Sequence, residues 1–250
     1  MQMFRISRSA PVRRSAARLA GVATAGALAA TLALAAPAQA ADPAVAAEAL
    51  TDTAYTFDAG CNVVSGADLN DGVLKTVVTN GTKKLNVVAS GTEKVADTVD
   101  PTDTVTMKAT NQVTGSITGA KGAFSKAAFT MRQGGSIAMA QGFSTDCDPE
   151  VELQAGFATA FTVKKAGSLS IKIDMPRDTL AQLQMTRDGV PEIMTINYNG
   201  RGTYLLSRPA KPGSYVLQVQ SAVTLGLGGG PQIQLSHSGA VGVTVGYSKS

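Results

Sequence analysis

Tryptophan is absent from this 250-residue chain, and histidine occurs once, at His237. A Ser-His-Asp hydrolase needs a histidine base, and the chain also lacks the G-x-S-x-G elbow that presents a nucleophilic serine. His237 lies between two serines and near Gly239, so we predict an exposed histidine at a strand edge or turn, without a catalytic partner. Sugar sites built on tryptophan platforms are excluded too. We therefore expect no catalytic residue, no metal ion and no cofactor.

Acidic residues are missing from the first 41 positions, where five arginines lie at 5, 8, 13, 14 and 18. An apolar run from Leu19 to Ala36 follows, and then Pro37-Ala38-Gln39-Ala40, which supplies an A-x-A cleavage site. We predict a signal peptide over residues 1–40 and a secreted, extracellular protein, with attachment to the cell surface left open. A retained membrane anchor is the alternative, and the Arg13-Arg14 pair leaves twin-arginine export open.

Signal cleavage changes the charge of the chain and the partners that it allows. Removing residues 1–40 lowers the formal net charge from +4 to −1, because all five arginines leave with the signal. The mature chain is therefore not expected to bind nucleic acid. It also has no second apolar run of membrane-spanning length, so we expect no membrane span after cleavage.

Cysteine occurs only twice, at Cys61 and Cys147, and both residues belong to the exported part. An even pair in an oxidising compartment predicts one structural disulfide. The two residues are 86 positions apart, and the chain-entropy model gives a bridge of that span about 4.5 kcal/mol of stabilisation. Two cysteines and one distant histidine make no recognisable zinc spacing.

Short segments of alternating apolar and polar residues dominate the mature chain and predict an all-β protein. The clearest run is Leu169–Met175, and turn dipeptides such as Asn80-Gly81 and Asp188-Gly189 recur at short intervals. Such spacing predicts a jelly-roll-like antiparallel β-sandwich. The alternation also predicts a core in the second half, formed by Phe161, Leu169, Ile171, Ile173, Leu183, Met185, Tyr215, Leu217 and Val219.

The domain organisation leaves two alternatives. We predict a flexible lead-in over 41–50, a disulfide-stapled β-domain over 51–149 and a second β-sandwich domain over 150–250, packed against the first. The motif Asp146-Cys147-Asp148-Pro149 marks the boundary. One large sandwich is the alternative.

Three segments of the second half carry a resemblance. They are Phe161–Ile171, Leu183–Gly189 and Pro212–Val219, each a strand with its adjoining turn. Residues 157–248 resemble bacterial pre-peptidase C-terminal domains, which implies a jelly-roll-like sandwich with binding or processing roles and no chemistry of its own. The central strand lacks the acidic residues typical of that family, which argues against its calcium role. Residues 51–149 show no resemblance.

A few side chains remain as candidate sites. Tyr198 and Tyr204 are the candidate binding surface, provided that they are exposed. The run Asp68–Gly72 hints at a calcium loop, but it lacks the EF-hand spacing, and Asp174 with Asp178 is a fainter candidate.

Three functions are compatible with these observations. We expect a secreted, non-enzymatic binding module of a bacterial extracellular or cell-surface protein, whose partner is a protein or a cell-envelope polymer. A secreted hydrolase that works through carboxylates is one alternative, although the missing tryptophan weakens it. A self-assembling surface-coat protein is the other, because polar strands of low net charge pair readily at their edges.

Overall fold

The computed structural model describes six stretches of the chain: residues 45–57, 60–66, 73–120, 123–139, 149–226 and 234–249. The predicted signal peptide, Cys147 and the run Asp68–Gly72 lie outside these stretches, as does the side chain of Asp178. No described cysteine is a free thiol, and Cys61 is buried. Its pairing with Cys147 stays a prediction.

All regular structure in these stretches is β-strand, which confirms the all-β prediction. No helix that could span a bilayer occurs there. The strands are β1 (Val45–Thr56), β2 (Cys61–Gly66), β3 (Val73–Thr79), β4 (Thr82–Asp97), β5 (Thr104–Ala120), β6 (Ala123–Met139), β7 (Glu150–Val163), β8 (Gly167–Arg187), β9 (Val190–Ala210), β10 (Gly213–Gly226) and β11 (Gln234–Lys249).

All eleven strands belong to one antiparallel sheet. Its order is β2-β4-β5-β6-β11-β8-β10-β7-β1-β3, and β9 pairs with β8. The sheet curls, so that β5 and β6 pack against β1 and β7 without pairing with them. The result is a sandwich of two layers. The first layer contains β2, β4, β5, β6 and β11, and the second contains β10, β7, β1 and β3.

Strand β8 joins the two layers because it is long and bent. Gly167–Asp174 pairs with β11 in the first layer, whereas Gln182–Arg187 pairs with β10 in the second. The pairing register with β9 shifts between Met175 and Thr179. Pro176 lies at this point, where a residue without an N–H interrupts a ladder at the least cost. The predicted strand Leu169–Met175 and the predicted strand that begins at Leu183 are therefore halves of one bent strand.

The core fills the space between the layers. All nine residues predicted for it are at most 3% exposed, so this prediction is confirmed. Residues from both halves of the chain share the larger core cluster. Phe129 of β6 stacks on Phe157 of β7, and Phe124 stacks on Phe161, each with ring centroids 4.2 Å apart.

The predicted boundary at residue 150 falls inside this sheet. Strand β7 pairs with β1 along its length, and β11 pairs with β6. This arrangement favours the single-sandwich alternative. The predicted flexible lead-in is wrong for residues 45–50, because they form the start of β1 between β7 and β3. The small side chains of Ala47 and Ala49 are fully buried there. The sequence did not predict this strand, because the alanine-rich segment does not alternate regularly between apolar and polar residues.

A belt of polar side chains crosses the interior between the two core clusters. Gln133 of β6 donates from Nε2 to the carbonyl oxygens of Leu153 (2.8 Å) and Ser221 (3.1 Å), and its Oε1 accepts from Ser221 Oγ at 2.6 Å. Asn111 of β5 donates to the carbonyl oxygen of Asp52 at 2.5 Å. Both amides therefore tie the first layer to the second.

One carboxylate is buried on the outward side of β1. Glu48 is 6% exposed, and its Oε1 accepts a hydrogen bond from Thr76 Oγ1 at 3.0 Å. Its Oε2 has no partner among the described residues. Burial raises the pKa of this carboxyl, and the bond from Thr76 offsets the effect only in part.

Replacing Glu48 with Gln is expected to stabilise the protein at pH 7 by about 1 kcal/mol, or about 3 °C in melting temperature. The unfolded chain ionises Glu48 around its ordinary pKa of 4.5, whereas burial favours the neutral form in the folded state. The contribution of Glu48 to stability is therefore full below that pKa and is lost as pH rises through the raised folded value. Thermal melts at about pH 4 and pH 7 measure the difference. If the melting temperatures of the variant and the wild type differed by the same amount at both pH values, this explanation would be contradicted.

Candidate functional site

The candidate site lies on the solvent side of the first layer. Because side chains alternate along a strand, every second residue of β4, β5, β6 and β11 points outward. We call these outward positions the basic face. They carry five cations and, in the described strands, no carboxylate: the cations are Lys84, Lys94, Lys108, Lys126 and Arg132.

A shallow groove of about 390 Å³ lies near the centre of the basic face. The strand register forms it, since Gln112 lies opposite Arg132 across β5 and β6, and Thr110 lies opposite Gly134. Strand β11 adds Ser238 beside Gly134. The bend of β8 closes the groove with a second arginine, Arg177.

The two arginines give the groove its charge. Both are exposed, and among the described residues neither forms an ion pair. Arg177 reaches the carbonyl oxygen of Ser238 with one guanidinium nitrogen at 3.5 Å. A guanidinium holds a planar array of five donors, which matches the oxygens of a carboxylate or phosphate. The groove thus offers two unpaired cations to an anion.

Neutral side chains complete the groove. Thr110 and Ser238 present exposed hydroxyls, and Gln112 is oriented by a hydrogen bond from its Nε2 to Asn86 Oδ1 at 3.2 Å. The floor is open at Gly134, because an added Cβ there would meet only the Thr110 carbonyl oxygen, at 3.9 Å. Hydroxyls and amides of this kind bind sugar or polyol hydroxyls but provide no general base at neutral pH.

The basic face has no aromatic side chain at its outward positions in the described strands. The predicted tyrosine pair lies elsewhere, on β9. Tyr198 and Tyr204 contact each other with ring centroids 4.6 Å apart, and both are partly buried against the larger core cluster. Burial, and then the neighbouring Tyr204, raises the pKa of Tyr198. The structure brings the two rings together, and their role in binding stays a prediction.

The structure corrects the prediction for His237. The residue lies within β11 opposite Gly135, not in a turn, and it points toward the interior. Its Nε2 is buried without a hydrogen-bond partner among the described residues. Burial lowers the pKa of the ring, so the neutral form is favoured. Exposure was predicted because Gly239 suggested a turn, whereas Gly239 is itself buried in the strand.

The fainter calcium candidate is not supported by its described half. Asp174 binds Lys172 at 2.7 Å and accepts a hydrogen bond from Thr203 at 2.7 Å. These bonds, led by that from Lys172, lower the pKa of Asp174. Within the described stretches, no group of three or more metal-ligating side chains occurs.

Sequence reasoning missed Arg132, Arg177 and their groove. Arg132 is an isolated cation in its strand, and the Gly134-Gly135 pair that follows it resembles a turn dipeptide. In the structure this pair continues β6. One sequence signal could have indicated this surface. Lys108, Thr110 and Gln112 alternate with apolar or buried residues along β5, which indicates an outward face without acidic residues.

Comparisons with known proteins do not identify the chain. No protein-family model and no curated protein matches it. The predicted resemblance of residues 157–248 to pre-peptidase C-terminal domains therefore stays a prediction.

Three solved structures show weak likenesses. The family 35 carbohydrate-binding module from Clostridium thermocellum is 10% identical over 37% of this chain and 76% of its own, with a TM-score of 0.22. The carbohydrate-binding module CBM36, in complex with calcium and xylotriose, is 10% identical over 38% of this chain and 79% of its own, with a TM-score of 0.20. The enzymatically active domain of tailspike protein 4 of Bacteriophage CBA120 is 8% identical over 68% of this chain and 20% of its own, with a TM-score of 0.26. Likenesses of this size carry no weight for what this chain binds.

Proposed function

We propose that this chain is a secreted, non-enzymatic β-sandwich module that binds an anionic polymer of the cell envelope on its basic face. The observation that carries the proposal is the groove with Arg132 and Arg177, two arginines without an ion pair among the described residues. Arginines that form no ion pair with another described residue are available to an external anion. The polymer supplies carboxylate or phosphate groups, and its hydroxyls bind Thr110 and Ser238.

The chemistry of the groove separates this ligand from two other polymers. Neutral polysaccharides are commonly held by stacking on aromatic rings, and single-stranded nucleic acids are held by stacked bases. The basic face offers neither kind of contact, since no outward position in its described strands is aromatic. Recognition therefore depends on charge and hydrogen bonds, which favours an acidic polymer.

Calorimetric titration of residues 41–250 with polygalacturonate, polyphosphate and neutral dextran tests the proposal. We expect binding to one or both acidic polymers, with an affinity that falls as salt screens the charges, and no binding to dextran. The acidic polymer that binds more tightly indicates whether the natural ligand presents carboxylate or phosphate groups.

Variants connect this binding to the groove. Arg132→Gln with Arg177→Gln should lower the affinity for the acidic polymer by about 100-fold, since each lost charged contact costs about 1.5 kcal/mol or more. Gly134→Val should fill the groove and weaken binding without unfolding the protein. Arg208→Gln, which removes an exposed arginine of β9 opposite Leu169, at the other end of β8 from Arg177, is the matched control and should bind like wild type. Equal binding of dextran, or full affinity in the double arginine variant, would refute the proposal.

A further inference from the structure

The two outer faces of the sandwich carry opposite charge. The chain holds 22 basic and 18 acidic residues, so its overall composition is close to balanced. The basic face nevertheless has cations only, as described above. That face carries only positive charge because of which residues of its strands point outward.

The opposite face has carboxylates only. We call the outward positions of β1, β7 and β10 the acidic face. None of these positions in the described strands carries a lysine or arginine, and four carry acids: Glu48, Asp52, Glu150 and Glu152. Asp52, Glu150 and Glu152 lie together toward one end of the face, and Glu48 lies farther along β1 and is buried.

None of the carboxylates of the acidic face forms an ion pair with another described residue. Glu48 Oε2 is buried and unpartnered among the described residues. Burial, then repulsion by Glu150 and Asp52, raises the pKa of Glu152. Burial also raises the pKa of Asp52. A cation placed over this face from outside would relieve the unfavourable burial of negative charge.

We infer that the basic face of one copy of this chain binds the acidic face of a second copy. Each strand of the basic face has 16 or 17 residues, and four such strands make a face on the order of 900 Å². The acidic face is the smaller of the two, because its three strands have 12 or 14 residues and cover about 600 Å². Specific interfaces begin at about 600 Å² from each partner. Small outward residues allow close approach on both sides, among them Gly134 and Gly242 on the basic face and Gly156 and Ala160 on the acidic face.

The geometry also determines the form of the assembly. The two faces lie on opposite sides of the sandwich, so the contact joins different surfaces of successive copies. A contact of this kind continues from copy to copy and forms an open row unless the rotation closes a ring. This inference does not depend on the proposed polymer binding, although both use the basic face.

Sedimentation velocity of residues 41–250 tests the contact at low ionic strength, about 20 mM, and at about 500 mM, where charges are screened within a few ångströms. We expect oligomers of increasing size at low salt and monomers at high salt. A wild-type chain that stays monomeric at low salt would refute the inference.

Two charge-reversed variants make the test specific. Lys108→Glu with Arg132→Glu lowers the formal charge of the basic face from +5 to +1, and Asp52→Lys with Glu152→Lys changes that of the acidic face from −4 to 0. Each variant alone should be monomeric. An equimolar mixture should form a one-to-one dimer, because the unchanged acidic face of the first variant binds the unchanged basic face of the second. Arg208→Glu, at the other end of β8 from Arg177 and in neither face, is the control and should assemble like wild type.

Three results separate the possible failures. If a reversed variant loses its thermal transition, Asp52→Asn with Glu152→Gln replaces it and should lower the association by at least tenfold. Variants that assemble like wild type, or a mixture that stays monomeric, would overturn the inference. Polygalacturonate should dissolve the wild-type assembly, whereas the variant with Asp52→Lys and Glu152→Lys, which keeps the whole basic face, should still bind it. Loss of assembly with polymer binding intact would thus leave the proposed function standing.

Discussion

A fragment of residues 150–250 is expected to show no cooperative melting transition, although its strands have the composition of a small sandwich. In the whole chain β7 pairs with β1 and β11 pairs with β6, so the fragment loses a neighbour at both places. It also loses Phe129, which stacks on Phe157, and Phe124, which stacks on Phe161, while Phe161 keeps its second stacking partner, Tyr215. Part of the fragment's core is then exposed to water. The apolar area that stays buried is too small to offset the entropy of folding.

Circular dichroism and thermal melts of the fragment, compared with residues 41–250, measure this effect. The separate fragments 41–149 and 150–250 should regain the transition when they are co-expressed, because the missing strands are then supplied in trans. A fragment that melts cooperatively within about 10 °C of the whole chain would instead support two independent domains.

The second large effect is expected at Gln133. Replacing it with Met keeps the length of the side chain but removes three hydrogen bonds between the layers. Ser221 Oγ is then left buried without its acceptor, and leaving buried polar groups unpaired costs about 3 kcal/mol in total. Urea unfolding should show this loss.

Two variants calibrate the Gln133 result. Gln112→Met alters the half-buried glutamine of the adjacent strand, which has a single exposed bond, to Asn86, and should change stability by less than about 0.5 kcal/mol. Adding Ser221→Ala to Gln133→Met should recover about 1 kcal/mol, because the orphaned hydroxyl is removed. A loss below about 0.5 kcal/mol for Gln133→Met itself would show that the polar belt does not hold the layers together.

The strands and the core could be predicted from the sequence, because the buried positions follow from the local alternation of apolar and polar residues. Leu169, Ile171 and Ile173 alternate with polar neighbours, and all three are buried. The Asp188-Gly189 turn was equally readable, since both residues adopt a positive φ that few other dipeptides tolerate. These features depend on neighbouring residues alone.

Strand pairing could not be predicted, because it depends on residues far apart in the sequence. Nothing in the Ala-rich segment around Ala47 shows that it lies between β7 and β3. The dipeptide Asn199-Gly200 resembles a turn, yet it lies within β9, where Gly200 has a φ of +99°. The same local signal therefore marks a bend in one place and a hairpin in another.

The groove was hidden for the same reason. Arg132 and Arg177 are 45 residues apart in the sequence, and β11, which lies between their strands, comes later than both. Only the order of the strands brings the two arginines to one groove. The opposite charges of the two faces likewise become visible only when outward and inward positions are known.

The most direct test of the central claim is to map where an acidic polymer binds. Backbone amide shifts of residues 41–250 can be followed during titration with short polygalacturonate oligomers. Binding in the groove predicts that the largest changes occur at Thr110, Arg132, Gly134, Arg177 and Ser238. The acidic face should remain unchanged. Shifts concentrated at Tyr198 and Tyr204, or on the acidic face, would contradict the account.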